Sequence, residues 1–162
     1  MGSGAHGLRQ AIAGALALCA ALPATAQELC SEDRVTVTGE WGQARFHVQV
    51  ADDNAERGRG LMFVEEMPTM AGMLFVYEAP QRASFWMANT LIPLDMIFAA
   101  PDGTVTRVHH EAIPHDRTPI DGGDNVRYVL EINGGLAAQL GISEGDVLQH
   151  PAIGPDPALP CR

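Results

Sequence analysis

The chain has 162 residues and a formal net charge of −10. That length suggests one domain. The acidic balance, with arginine as the only cationic residue besides histidine, argues against nucleic acid or anionic lipid as a partner, because both need a basic footprint.

The first residues do not read as part of the domain. His6 and Arg9 make a weakly positive start, and Ala11 to Leu22 is an uninterrupted apolar run. Pro23 breaks the run, and Ala24-Thr25-Ala26 offers a small-x-small cleavage site before Gln27. The run is shorter than the roughly 20 residues a membrane-spanning helix needs. Together these features describe a secretory signal peptide over residues 1–26, cleaved after Ala26. The expectation is a periplasmic or secreted protein, residues 27–162, whose mature form has lost the charge of Arg9. No later stretch is apolar enough to span a bilayer, so no membrane partner is expected after cleavage. Cys19 follows Leu18, where lipid attachment requires a small residue, and a lipoprotein anchor is rejected. The remaining Cys30 and Cys161 stand at opposite ends of the mature chain. In an oxidising compartment they are expected to form a disulfide tying the termini.

The elements follow in order. Val35 and Val37 alternate with Thr36 and Thr38; after a Gly39–Gly42 turn, Phe46, Val48 and Val50 alternate with Arg45, His47 and Gln49. Period-two patterning with β-branched residues predicts half-buried strands. Asp52 or Asp53 can cap a short helix through Ala55–Gly60, with Leu61 and Met62 facing the core. The apolar runs Gly72–Tyr77, Ala83–Met87 and Leu94–Ala100 predict strands. Pro101-Asp102-Gly103 predicts a turn into a returning strand, Thr104–His110. Ile113–Asp124, rich in Pro, Gly and Asp, reads as a loop, and Arg127–Asn133 as a strand. Leu136–Leu140 reads as a helix with Gly141 as its left-handed C-cap and Ile142 packed behind. A last strand is expected at Val147-Leu148, before a Pro-rich tail over 151–162. About eight short strands and two short helices make a mainly β domain, a β-sandwich or a partly open barrel.

Several strings carry a resemblance. Arg59-Gly60-Leu61-Met62, Gly72-Met73-Leu74-Phe75 and Phe85-Trp86-Met87-x-Asn89-Thr90-x-x-Pro93-Leu94-Asp95 are followed by Tyr128-Val129-Leu130-Glu131-x-Asn133 and Gly145-Asp146. This order resembles the domain-of-unknown-function 192 family over roughly residues 46–150. The resemblance implies a jelly-roll-like β-sandwich, often exported, and implies no activity. The family usually has Lys where this chain has Ala88, so no role is carried over that needs a cation there.

The Phe85–Asp95 segment is the most unusual stretch. Adjacent Trp86 and Met87 point to opposite sides of a strand, Asn89 and Thr90 are turn formers, and Pro93 stiffens the approach to Asp95. The segment is either an architectural corner, its polar groups spent on backbone, or the wall of a pocket with an aromatic platform. Arg127, Val129, Glu131 and Asn133 share a strand face. Asp95 and Glu131 each interrupt an apolar strand; if they converge they form an acid–base pair for a hydrolase, and otherwise an arginine such as Arg127 or Arg59 is expected to neutralise each. No serine sits in a nucleophile-elbow setting. Six of the seven methionines fall within Met62–Met96, and Met67, Met70 and Met73, with His109, could hold Cu(I) or Ag(I) through soft thioethers; the alternative is core filling. No cofactor is implied. The leading expectation is a non-enzymatic binding or accessory module for a small ligand or a periplasmic protein, with its site near Trp86, Asn89 and Asp95 and including Met87, Thr90, Arg127 and Glu131.

Overall fold

The computed structural model describes Met1, Gly2 and residues 30–161, so the expected signal segment and its cleavage site lie outside the described residues. Strands β1 (Arg34–Gly39) and β2 (Gly42–Ala51) form the first hairpin, with Val35 opposite Phe46 and Val37 opposite Ala44. The two alternating patterns therefore place their apolar residues on one face. Asp53 caps α1 (Asn54–Arg59) by accepting from the Glu56 N–H at 2.8 Å. This helix carries the chain across to β3 (Ala71–Phe85), which runs parallel to β2, a connection that a tight turn cannot make.

The two apolar runs expected as separate strands are one long β3, with register irregularities between Val76 and Ser84. Strands β4 (Leu94–Ala99) and β5 (Val105–Ala112) form the hairpin expected around Pro101-Asp102-Gly103. Strand β6 (Ile120–Asn133) pairs with both β3 and β4. It begins inside the segment read as loop. Gly122 sits against the Phe98 ring, where a Cβ would collide; here glycine marks a close approach within a strand and not a turn. Helix α2 (Leu136–Leu140) ends at Gly141 with φ 87°, whose N–H donates to Ala137 O, and buried Ile142 packs behind it. Strand β7 (Val147–Gln149) pairs with β1.

The strands form one sheet in the order β5-β4-β6-β3-β2-β1-β7. Its two edges meet at one end: the Val105 N–H donates to Asp146 O at 2.7 Å and the Leu148 N–H to Gly103 O at 2.9 Å. The sheet thus curls into a half-barrel, the partly open barrel of the two arrangements anticipated. Its inner face packs Val35, Phe46, Leu74, Ile97, Leu130 and Leu148. The outer face gathers Met73, Phe75, Met87, Met96, Phe98 and Val129, with Leu61, Val64 and Met67 from the segment after α1. Cys30 and Cys161 lie with Cα atoms 5.5 Å apart, in disulfide range.

Candidate ligand-binding cleft

Strand β4 lies between β5 and β6 and is buried along its whole length. Period two sends Asp95, Ile97 and Ala99 inward and Leu94, Met96 and Phe98 outward. In register Asp95 stands opposite Ile132, and Met96 stands opposite Glu131. The two carboxylates that the hydrolase reading required together are therefore on opposite faces of the sheet. That reading fails on geometry.

Asp95 is fully buried and directs both its oxygens at backbone N–H groups. Its Oδ1 accepts from the Glu111 N–H at 2.7 Å and the Gly135 N–H at 3.0 Å, and Oδ2 from the Ala137 N–H at 2.7 Å. Gly135, at the N-cap of α2, has no side chain to satisfy that end of the helix; Asp95 reaches over from β4 and does so. It is the architectural half of the corner. Among the described residues no arginine pairs with it.

Glu131 has the opposite circumstances. It is 4% exposed, flanked across the sheet by Met73 on β3 and Met96 on β4. Among the described residues its carboxyl makes no hydrogen bond or ion pair, with Arg127 and Arg59 included. Burial alone pushes its pKa up to about 8, because desolvation disfavours the charged form. The group is a neutral carboxylic acid at pH 7. It reaches the floor of a cleft of about 220 Å³, whose walls include Phe75, Tyr77, Phe85, Trp86, Met62 and Thr90. Arg57 and Arg59 of α1 line the same cleft. Arg57 is engaged: it donates to Asp52 O, to Val76 O at 2.8 Å and to Asn54 Oδ1 at 2.7 Å, and it lies over the Tyr77 ring. Burial raises the Tyr77 pKa, with Arg57 opposing and Glu131 adding to the rise.

Trp86 stands at the rim, 55% exposed, while its neighbour Met87 is fully buried in the outer cluster. Backbone hydrogen bonds gather three loops around this rim: the Phe63 N–H donates to Asn89 O, the His115 N–H to Thr90 O and the Met87 N–H to Asp116 O. Phe63, Asn89 and His115 all have positive φ, at 64°, 58° and 64°. Asn and His adopt such backbone more readily than most residues, so Phe63 is the costly one of the three. Exposed Phe63, Leu91 and Ile113 lie on these same loops.

The remaining expected site residues are dispersed. Asn89 is exposed and donates to Met62 Sδ at 3.8 Å. Buried Thr90 lines the cleft. Arg127 lies outside it, donating to Tyr77 O at 3.4 Å and stacked on Tyr128. Asn133 donates to Pro68 O at 3.0 Å, anchoring the segment before β3. Of the proposed soft-metal set, Met67 and Met73 belong to the outer cluster and Met70 packs against the inner one. His109 stands opposite Met96, one strand beyond Glu131. The four are not brought together, and among the described residues no group of three His, Cys, Asp or Glu is placed to hold a metal. Tyr77, Phe75 and Ser84 were not anticipated as cleft residues. Strand alternation after Met73 does place Phe75 and Tyr77 on the Glu131 side, and that was the available signal.

This is a mainly β half-barrel with a small cleft on its outer face, floored by a carboxyl and rimmed by an indole. The family model of DUF192, described as an uncharacterised ACR, matches residues 35–150, and the chain belongs to that family. Two solved structures are similar. One is a protein of unknown function from Novosphingobium aromaticivorans DSM 12444, 46% identical, with a TM-score of 0.70, covering 71% of this chain and 82% of that one. The other is a Sinorhizobium meliloti 1021 protein described as a "putative transcription regulator", 40% identical, TM-score 0.69, covering 71% of this chain and 90% of that one. A comparison with curated proteins finds no match.

Proposed function

We propose that the domain is an exported, non-enzymatic binding module that holds a small ligand between Trp86 and Glu131. The observation that carries this reading is the buried Glu131 carboxyl, which opens into the cleft and has no partner among the described residues. Its oxygens border the cleft, and a polar group largely removed from water without a protein partner costs on the order of 1–3 kcal/mol, which no group among the described residues offsets. A ligand group seated on the floor would. Asp95, which the sequence placed in the site, is spent on backbone amides and leaves it.

Other features support the same reading. A cleft of about 220 Å³ is smaller than the roughly 300–1,000 Å³ of pockets for drug-sized molecules, so the ligand is small. The residue strings that carry the family resemblance around Arg59, Phe75, Trp86 and Glu131 all contribute to its walls. Export is supported by the signal-peptide pattern of residues 1–26 and by the closeness of Cys30 and Cys161, which an oxidising compartment would join. The description given to the Sinorhizobium relative is not carried over as nucleic-acid binding. The chain is strongly acidic, and Arg82 and Arg107 are paired with Asp121 and Asp124.

The test is a fragment screen by ligand-observed NMR on the mature chain with its disulfide intact. Fragments should bind and be lost in Trp86→Ala, with circular dichroism unchanged. A screen without hits, or hits indifferent to both Trp86→Ala and Glu131→Leu, would remove the cleft from consideration.

A further inference from the structure

We infer that the cleft takes a small organic carboxylate, its head group held between the Glu131 carboxyl and the Arg59 guanidinium and its apolar body lying on Trp86. This rests on the reading of the cleft as a ligand site and adds the charge and shape of the ligand.

The floor sets the first requirement. A protonated carboxyl is a donor in need of an acceptor, and its strongest partner is an anionic oxygen, through a short charge-assisted O–H···O⁻ bond. Desolvation holds Glu131 in that donor form at neutral pH. The groups facing it do not reverse this: Arg57 and Arg59 of α1 line the same cleft, yet burial alone sets the direction of the shift. Tyr77 on β3 is itself kept protonated by burial, Met73 and Met96 flank it without charge, and His109 lies a further strand away, opposite Met96.

The wall sets the second requirement. Arg59 is exposed and lines the cleft, its backbone carbonyl accepts from the Met62 N–H, and its guanidinium makes no hydrogen bond or ion pair among the described residues. Its neighbour Arg57 has its guanidinium occupied by Asp52, Asn54 and Val76. A guanidinium left open in a chain of net charge −10 offers the fork geometry that fits a carboxylate. A cationic ligand would meet two arginines and would need Glu131 ionised against its desolvation. The remaining lining adds Leu61, Met62, Phe75, Phe85 and Trp86 to the polar Tyr77, Ser84 and Thr90. The apolar members suit a hydrocarbon body on a single anionic head.

The experiment compares three probes of one chain length, hexanoate, hexylammonium and 1-hexanol, titrated into the mature, disulfide-intact chain by calorimetry and NMR. At pH 6.5 hexanoate should saturate and the other two should not. At pH 9.5 its affinity should fall about 30-fold, if only the protonated acid binds and the group titrates near 8. Arg59→Gln should weaken hexanoate at both pH values. Glu131→Gln, which keeps a donor and cannot ionise, should bind more weakly but without the pH step; Glu131→Leu should not bind. Saturation by hexylammonium or equally by hexanol would overturn the carboxylate assignment and leave the cleft reading standing. Hexanoate binding that survives both Arg59→Gln and Glu131→Leu would overturn the assignment too. If none of the probes saturates, the carboxylate proposal falls; if the fragment screen is also silent, the cleft reading falls with it.

Discussion

Glu131→Gln tests the central physical claim without any ligand. The unfolded carboxyl titrates near 4.5 and the folded one near 8. Below pH 4.5 both states hold the proton and the residue costs nothing through ionisation. As pH rises the unfolded chain ionises first, so stability falls progressively and levels off above about 8. At roughly 1.4 kcal/mol per pH unit, the penalty is about 1 kcal/mol at pH 5, 3 at pH 7 and 5 at pH 9. Glutamine is nearly isosteric and does not titrate. Its own burial cost is independent of pH, so the informative quantity is the change in the difference between variant and wild type. That difference should move by about 4 kcal/mol in favour of the variant between pH 5 and pH 9. Tyr77, with its pKa raised, stays neutral across this window, and the histidines cancel because both proteins carry them. Urea unfolding followed by circular dichroism at pH 5, 7 and 9, with the disulfide kept intact, gives the three differences. Equal differences at all three values, within about 1 kcal/mol, would mean that Glu131 is solvated or paired in solution, and the argument for an unoccupied acid on the cleft floor would collapse.

Asp95→Ala should destabilise the domain by on the order of 4 kcal/mol, because three backbone donors lose their acceptor at roughly 1–3 kcal/mol each; urea unfolding measures it, and a loss below about 1 kcal/mol would refute the architectural assignment. Replacing both Cys30 and Cys161 by serine should lower stability by roughly 2–5 kcal/mol, read as a lower melting temperature that added reductant reproduces in the wild type but not in the double variant.

The fold was legible wherever an apolar pattern and a local signal agreed. The β1–β2 alternation, the Asp53 cap, the Gly141 stop and the Pro101-Asp102-Gly103 turn are each decided within a few residues, so the sequence displays them. Two features depend on partners far away in the chain and could not be read locally. Gly122 looks like a turn residue until Phe98 is placed against it. The joining of Gly72–Tyr77 and Ala83–Phe85 into one strand requires β6 to span the irregular stretch between them. The site shows the same division. Trp86, Thr90 and Glu131 were singled out and do line one cleft, but Asp95 belongs to the other face. Arginine pairing, a reasonable expectation for two carboxylates in apolar strands, was met by neither.

The contrast between those two carboxylates says more about function than either does alone. They stand on adjacent strands, one register position apart, and both are removed from water. Asp95 is surrounded by main-chain N–H groups that the ends of β5 and α2 would otherwise leave without acceptors, so its charge and the backbone satisfy each other. On the other face, two thioethers flank Glu131 and no donor among the described residues meets it. If outer-face packing were the only demand at residue 131, methionine or leucine would continue the Met73–Met96 row with no ionisation penalty. Local architecture therefore accounts for Asp95, whereas packing on the outer face does not account for a carboxyl at Glu131.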